Sequence, residues 1–146
     1  MKVVVTAVIE RGDRRLLIGQ RRRDDTSPLK WEFPGGKMED GETPELALAR
    51  ELSEELGATL VKCVEMARTR HKYATMPEEI EIRFFAASIL ESELTPHEFE
   101  QIVWALPREL AGYDFLAANA QLIAQLATGR LKPAEILERD GNERQK

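Results

Sequence analysis

With a single cysteine, Cys63, the 146-residue chain has no way to form an internal disulfide, which suits a reducing compartment. In the run LVKCVEM that thiol reads as a buried structural residue. No apolar run approaches the roughly 20 residues of a membrane span, and the opening MKVVVTAVIE lacks the longer apolar core and small-residue cleavage site of a signal peptide. A cytoplasmic protein without membrane contact is expected. Basic excess is also missing. The net charge of -5 and pI near 5.2 argue against stable residence on a nucleic-acid backbone. Covalent catalysis lacks its parts as well, since Ser27, Ser53 and Cys63 have no histidine in a recognisable motif, and His71 and His97 read as surface or strand residues.

What is present is enough for one folded domain, with 42% hydrophobic and 32% charged residues. KVVVTAVIE and RLLIGQR read as strands, either a hairpin or neighbours in a sheet. The turn-rich DDTSPLKWEFPG leads into a short extended piece at LKWEF. A helix follows, with Thr43 as N-cap, Pro44 at the first position and Gly57 as the stop. Two long strands are expected across ATLVKCVEMARTRHKYA and EEIEIRFFAASILE, then a short strand at IVWAL and a helical turn at PREL. FLAANAQLIAQLA predicts a last helix with Leu116, Ile123 and Leu126 on one stripe, and the charged tail from Gly129 onward is expected to be frayed or partly helical.

The first helix poses a physical problem. With about 100° per residue, Glu51, Glu54 and Glu55 share an arc of about 100°, where like charges destabilise a helix by a few tenths of a kcal/mol per pair. The same wheel assigns Leu46, Ala49, Leu52 and Leu56 to a core-facing arc opposite the carboxylates, with the glutamates outward, Ala47 leaving room above them and Leu48 at the boundary. A hard divalent cation offsets such repulsion, and an oxygen-only set selects Mg²⁺ or Mn²⁺. The preceding GGKMEDGE offers close backbone approach, a phosphate-binding candidate in Lys37 and a fourth carboxylate in Glu42.

Gly36, five residues, Glu42, seven residues, Arg50-Glu51-Leu52, one residue, Glu54-Glu55, one residue, Gly57 and Ala58 together resemble the signature of the Nudix superfamily, and more narrowly its MutT-like branch. The resemblance implies an α/β/α sandwich around a mixed sheet, with a hydrolase domain over residues 1–128 and a tail over 129–146. It implies a Mg²⁺-dependent enzyme that cleaves a nucleoside triphosphate to monophosphate and pyrophosphate, with Glu51, Glu54, Glu55 and the Gly35 carbonyl as metal ligands. Arg50 would orient a box glutamate and Glu42 would support it. Glu98, six residues before Trp104, would add a ligand or help activate water, with Glu100 as its neighbour and rival.

For the base, the resemblance points to Asn119 as reader, Phe33 as an aromatic neighbour and Arg21 as a nucleotide contact, which fits 8-oxo-dGTP because an amide pairs with its O6 acceptor and N7-H donor. Asn119 also suits a helix cap. Glu78 or Glu79 falls where a further base-contacting arginine would be expected, and Arg22 and Arg23 read as solvated loop charges. The alternatives are pyrophosphatases for CTP or modified pyrimidine nucleotides, for ADP-ribose, or for dinucleoside polyphosphates, the last hinted at by Tyr73, and a non-catalytic nucleotide-binding module. A monomer or homodimer acting on a small nucleotide is the expected form.

Overall fold

The β-branched opening forms strand β1 (Lys2–Ile9), but the next strand in sequence is not its partner. In the computed structural model, the backbone is described for residues 1–145 and the side chains for residues 1–140. β1 lies inside a mixed four-stranded sheet, paired antiparallel to β4 (Gly35–Lys37) and parallel to β6 (Ile80–Ile89), with β5 (Leu60–His71) antiparallel on the outer side of β6. β2 (Leu16–Arg21) belongs to a second, antiparallel sheet in the order β3 (Trp31–Glu32), β2, β7 (Phe99–Ala105). The expected hairpin reduces to one bridge between Glu10 and Leu16. The reason lies in β1 itself: Val5, Ala7 and Ile9 join one core cluster while Val8 joins the other, so both faces are covered and both edges are taken.

Helix α1 (Pro44–Leu56) begins and ends where the sequence indicates. The Thr43 side chain accepts the Leu46 N–H, Pro44 occupies the first turn, and Gly57 closes the helix at φ 66°, a left-handed conformation suited to glycine. Its buried face differs from the expected one. Leu46 is 62% exposed, whereas Ala47, Leu48, Leu52, Leu56 and Glu55 are buried. On the wheel these run from Ala47 at about 320° through Glu55 at about 40° to Leu56 at about 140°, so the apolar and acidic arcs overlap. The glutamates are therefore not an outward face opposite the core. They lie along its border, and Glu55 is inside it.

The second-half elements follow the expected order: a 3-10 turn at Pro107–Gly112, another at Ala117–Asn119, then α2 (Ala120–Ala127). On α2 the buried pair is Leu122 and Leu126, four residues apart. Leu116 falls outside the helix because its N–H is given to the Trp31 carbonyl. In the tail, expected to be frayed or partly helical, the backbone forms α3 (Pro133–Gln145), lying against β5 and β6. The Glu10 carboxylate, just past β1, accepts the Ala134 N–H at 3.3 Å, and Lys62 of β5 donates to the Leu137 carbonyl, so both hold this helix. Among the described residues, no helix is long and apolar enough to cross a membrane.

Candidate active site

The site starts with two glycines and their lack of side chains. A Cβ on Gly35 would lie 2.0 Å from the Val5 carbonyl oxygen, and one on Gly36 would lie 2.3 Å from the carboxyl carbon of Glu51. Only bare backbone fits between β1 and α1. Gly35 N–H donates to Glu55 Oε1 at 2.8 Å, so the turn contacts two box glutamates directly.

Arg50 supplies the positive charge that the helix needs. Its Nε donates to Glu42 at 2.7 Å, Nη2 to Glu42 at 2.9 Å and to the Lys37 carbonyl at 3.0 Å, and Nη1 to Glu51 at 2.9 Å and Glu54 at 3.3 Å. One guanidinium thus ties three glutamates and the loop together. Glu42 also accepts the Glu39 N–H at 2.8 Å, and its carboxyl is held at about 2, chiefly by Arg50. Of Glu51, Glu54 and Glu55, Glu54 is the most exposed, its side chain 53% accessible.

Glu55 has no such partner. It is 6% exposed, and burial, reinforced by the Glu32 charge, pushes its pKa to about 9; the Gly35 N–H opposes the rise, while Glu51 and Glu98 add to it. Its carboxyl is protonated at neutral pH in the absence of a cation. Burial also raises Glu51, against the pull of Arg50.

Glu98 follows a segment fastened to the end of α1. His97 N–H donates to the Glu55 carbonyl and Thr95 N–H to the Leu56 carbonyl, both at 3.0 Å. Its charge is felt at Glu51 and Glu55. Glu100 instead accepts the Arg23 N–H at 3.1 Å, so of the two rivals it is Glu98 whose charge acts on the box glutamates.

The residues named for the nucleotide are less uniform. Phe33 is buried, its ring 5.4 Å from that of Phe115. Asn119 is 4% exposed and makes no capping bond to α2; among the described residues its amide has no hydrogen-bond partner. Its burial is not explained by capping. Lys37 is exposed. Arg21 is already engaged, giving both Glu32 oxygens its Nη1 at 3.1 and 3.2 Å and the Thr26 carbonyl its Nε at 2.7 Å. Glu32 was not singled out in the sequence. Its signal was there, a carboxylate flanked by Trp31 and Phe33 immediately before the glycine turn.

The NUDIX domain family matches residues 1–126. The chain belongs to the Nudix family. This Nudix hydrolase is 34% identical to the CTP pyrophosphohydrolase of Escherichia coli K12, over 90% of this chain and 96% of that protein. It is 32% identical to the 8-oxo-dGTP diphosphatase of the same organism, over 84% and 94%. The crystal structure of a MutT NUDIX hydrolase from Burkholderia pseudomallei matches it with a TM-score of 0.74 at 27% identity, covering 85% of this chain and 96% of that one. The mixed sheets with flanking helices in a single domain are the fold of these MutT neighbours.

Nudix hydrolases generally use a divalent metal. The donor chemistry here fits one: Glu51, Glu54, Glu55 and Glu98 offer only oxygens, and Glu55 is buried with a single N–H bond from Gly35. Among the described residues no three acidic, histidine or cysteine side chains form a ready-made cation cage. Arg50 draws Glu51 and Glu54 to itself, so a cation would compete with its guanidinium for their oxygens.

Proposed function

We propose that this Nudix hydrolase is a Mg²⁺-dependent nucleoside triphosphate pyrophosphohydrolase whose preferred substrate is an oxidised purine nucleotide, 8-oxo-dGTP, cleaved to 8-oxo-dGMP and pyrophosphate. Glu51, Glu54, Glu55 and Glu98, with the Gly35 carbonyl, would hold the metal, while Arg50 and Glu42 orient the helix glutamates. Bound Mg²⁺ supplies charge neutralisation on the phosphates and a lowered pKa for the attacking water. The chain's part is to fix the carboxylates, exclude competing partners and present Lys37 toward phosphate. A cytoplasmic monomer or homodimer suits that chemistry.

The observation that supports the base assignment is Asn119, a residue 4% exposed whose amide makes no cap bond to α2. An amide carries a donor and an acceptor together, so a ligand edge offering both is its natural complement. 8-Oxoguanine has that edge, whereas guanine presents an unprotonated N7 where a donor is needed. A second reading, a pyrophosphohydrolase for CTP or a modified pyrimidine triphosphate, is favoured by the 34% identity to a CTP pyrophosphohydrolase.

A panel of 8-oxo-dGTP, dGTP, CTP, 5-methyl-dCTP, ADP-ribose and a dinucleoside tetraphosphate, scored by kcat/KM for pyrophosphate release, separates them. The expected result is preference for 8-oxo-dGTP over dGTP that falls about tenfold or more in Asn119→Ala. A CTP preference untouched by that substitution would overturn the base assignment and leave the hydrolase standing.

A further inference from the structure

Three consecutive arginines, Arg21, Arg22 and Arg23, leave β2, and each grips a different part of the molecule. Arg21 holds Glu32. Arg22 Nη2 donates to the His97 carbonyl, immediately before Glu98. Arg23 gives its backbone N–H to Glu100 at 3.1 Å, with its guanidinium Nε 3.6 Å from the same carboxylate, just past Glu98.

The register of β7 shows why that segment needs holding. Gln20 pairs with Gln101, but Arg21 pairs with Phe99, so one step along β2 answers two along β7 and Glu100 is the extra residue of a bulge. The bulge reverses the pleat. Phe99 packs in the same core cluster as Ile102 and Trp104, although regular alternation would set it on the opposite face. Without the extra residue, Phe99 would exchange faces, and Glu98 sits in the turn immediately before it. The bulge is seated from below by Phe99 under Gly19, where any Cβ would lie 2.6 Å from the ring. On the other side, His97 N–H is fixed to the Glu55 carbonyl.

We propose that Arg22 and Arg23 are positioning residues: together they clasp the 97–100 bulge against the strand end and thereby keep Glu98 facing the box glutamates. This rests on Glu98 acting in the site. Both arginines are engaged by the protein itself. The clasp holds one carbonyl and one carboxylate on either side of Glu98, so the quantity it controls is that side chain's orientation, not nucleotide affinity.

The test is a cycle of Arg22→Ala/Arg23→Ala, Glu98→Gln and their combination in the full chain, with Mg²⁺ and a hydrolysed nucleotide, alongside amide hydrogen exchange. The expected result is a fall in kcat of about tenfold in the arginine variant, the scale of losing an orienting partner, with KM within about twofold. Exchange should quicken at residues 98–101. In the Glu98→Gln background the arginine changes should cost nothing further, and Arg22→Lys with Arg23 intact should retain most of the activity. An additive loss, a raised KM with kcat preserved, or an unchanged kcat overturns the clasp. If Glu98→Gln alone leaves kcat intact, the assignment of Glu98 fails and takes the clasp with it; if only the arginine variant is silent, the site reading stands.

Discussion

The two ends of α1 treat their carboxylates in opposite ways. At the N-terminal end Glu42 meets Arg50 and a backbone N–H, and its pKa is drawn down to about 2. At the C-terminal end Glu55 is buried beside Glu32, Glu51 and Glu98, and its pKa is pushed up to about 9. The single box arginine reaches Glu42, Glu51 and Glu54 but not Glu55. A buried carboxyl that lacks a cation either keeps a proton or binds a metal. The difference is that Glu42 has a guanidinium partner while Glu55 has only the Gly35 N–H.

The comparison is broken most severely by removing a ligand charge. Glu54→Gln, on the exposed side of the helix, should lower kcat about a thousandfold or more while circular dichroism and Tm stay close to wild type, since several kcal/mol of metal-borne stabilisation would be lost. Near-normal turnover would remove Glu54 from the site. Arg50→Ala should cost about 10–100-fold in kcat/KM, because Glu42, Glu51 and Glu54 lose their common anchor.

A smaller effect sharpens the contrast in pH. In metal-free protein, the raised Glu55 holds its proton more tightly folded than unfolded. Its contribution to stability is therefore complete below about 4.5 and is lost as pH rises toward about 9. Glu42 has the opposite sign, contributing above about 4.5 and losing that contribution as pH falls toward about 2. Urea unfolding of wild type and Glu55→Gln between pH 5 and 9 in EDTA should show the variant with the flatter profile; parallel profiles would contradict the burial argument. The smallest change is Thr43→Ala, which should cost about 1 kcal/mol of stability through the lost cap and leave kcat unaltered.

The sequence made the box legible because its chemistry is local: glycine pair, carboxylates and arginine lie within one loop and one helix, where spacing implies proximity. The caps of α1 were readable for the same reason. The separation of β1 from β2 was not, because strand pairing is decided by which faces the rest of the chain covers. Burial of Ala47 and Leu48 in place of Leu46 was missed because the wheel assumed that charge must point away from the core, while Glu55 enters it on a backbone N–H. The roles of Arg22 and Arg23 depend on partners more than seventy residues away and on a bulge with no sequence signal of its own.

The most direct test of the central claim, that the acidic face of α1 is completed by a divalent cation, is Mn²⁺ binding followed by electron paramagnetic resonance without nucleotide. The account predicts saturable binding to wild type that weakens about tenfold or more in Glu51→Gln and in Glu55→Gln but not in Glu45→Gln, on the first turn of the same helix. Equal binding by all four proteins would contradict it.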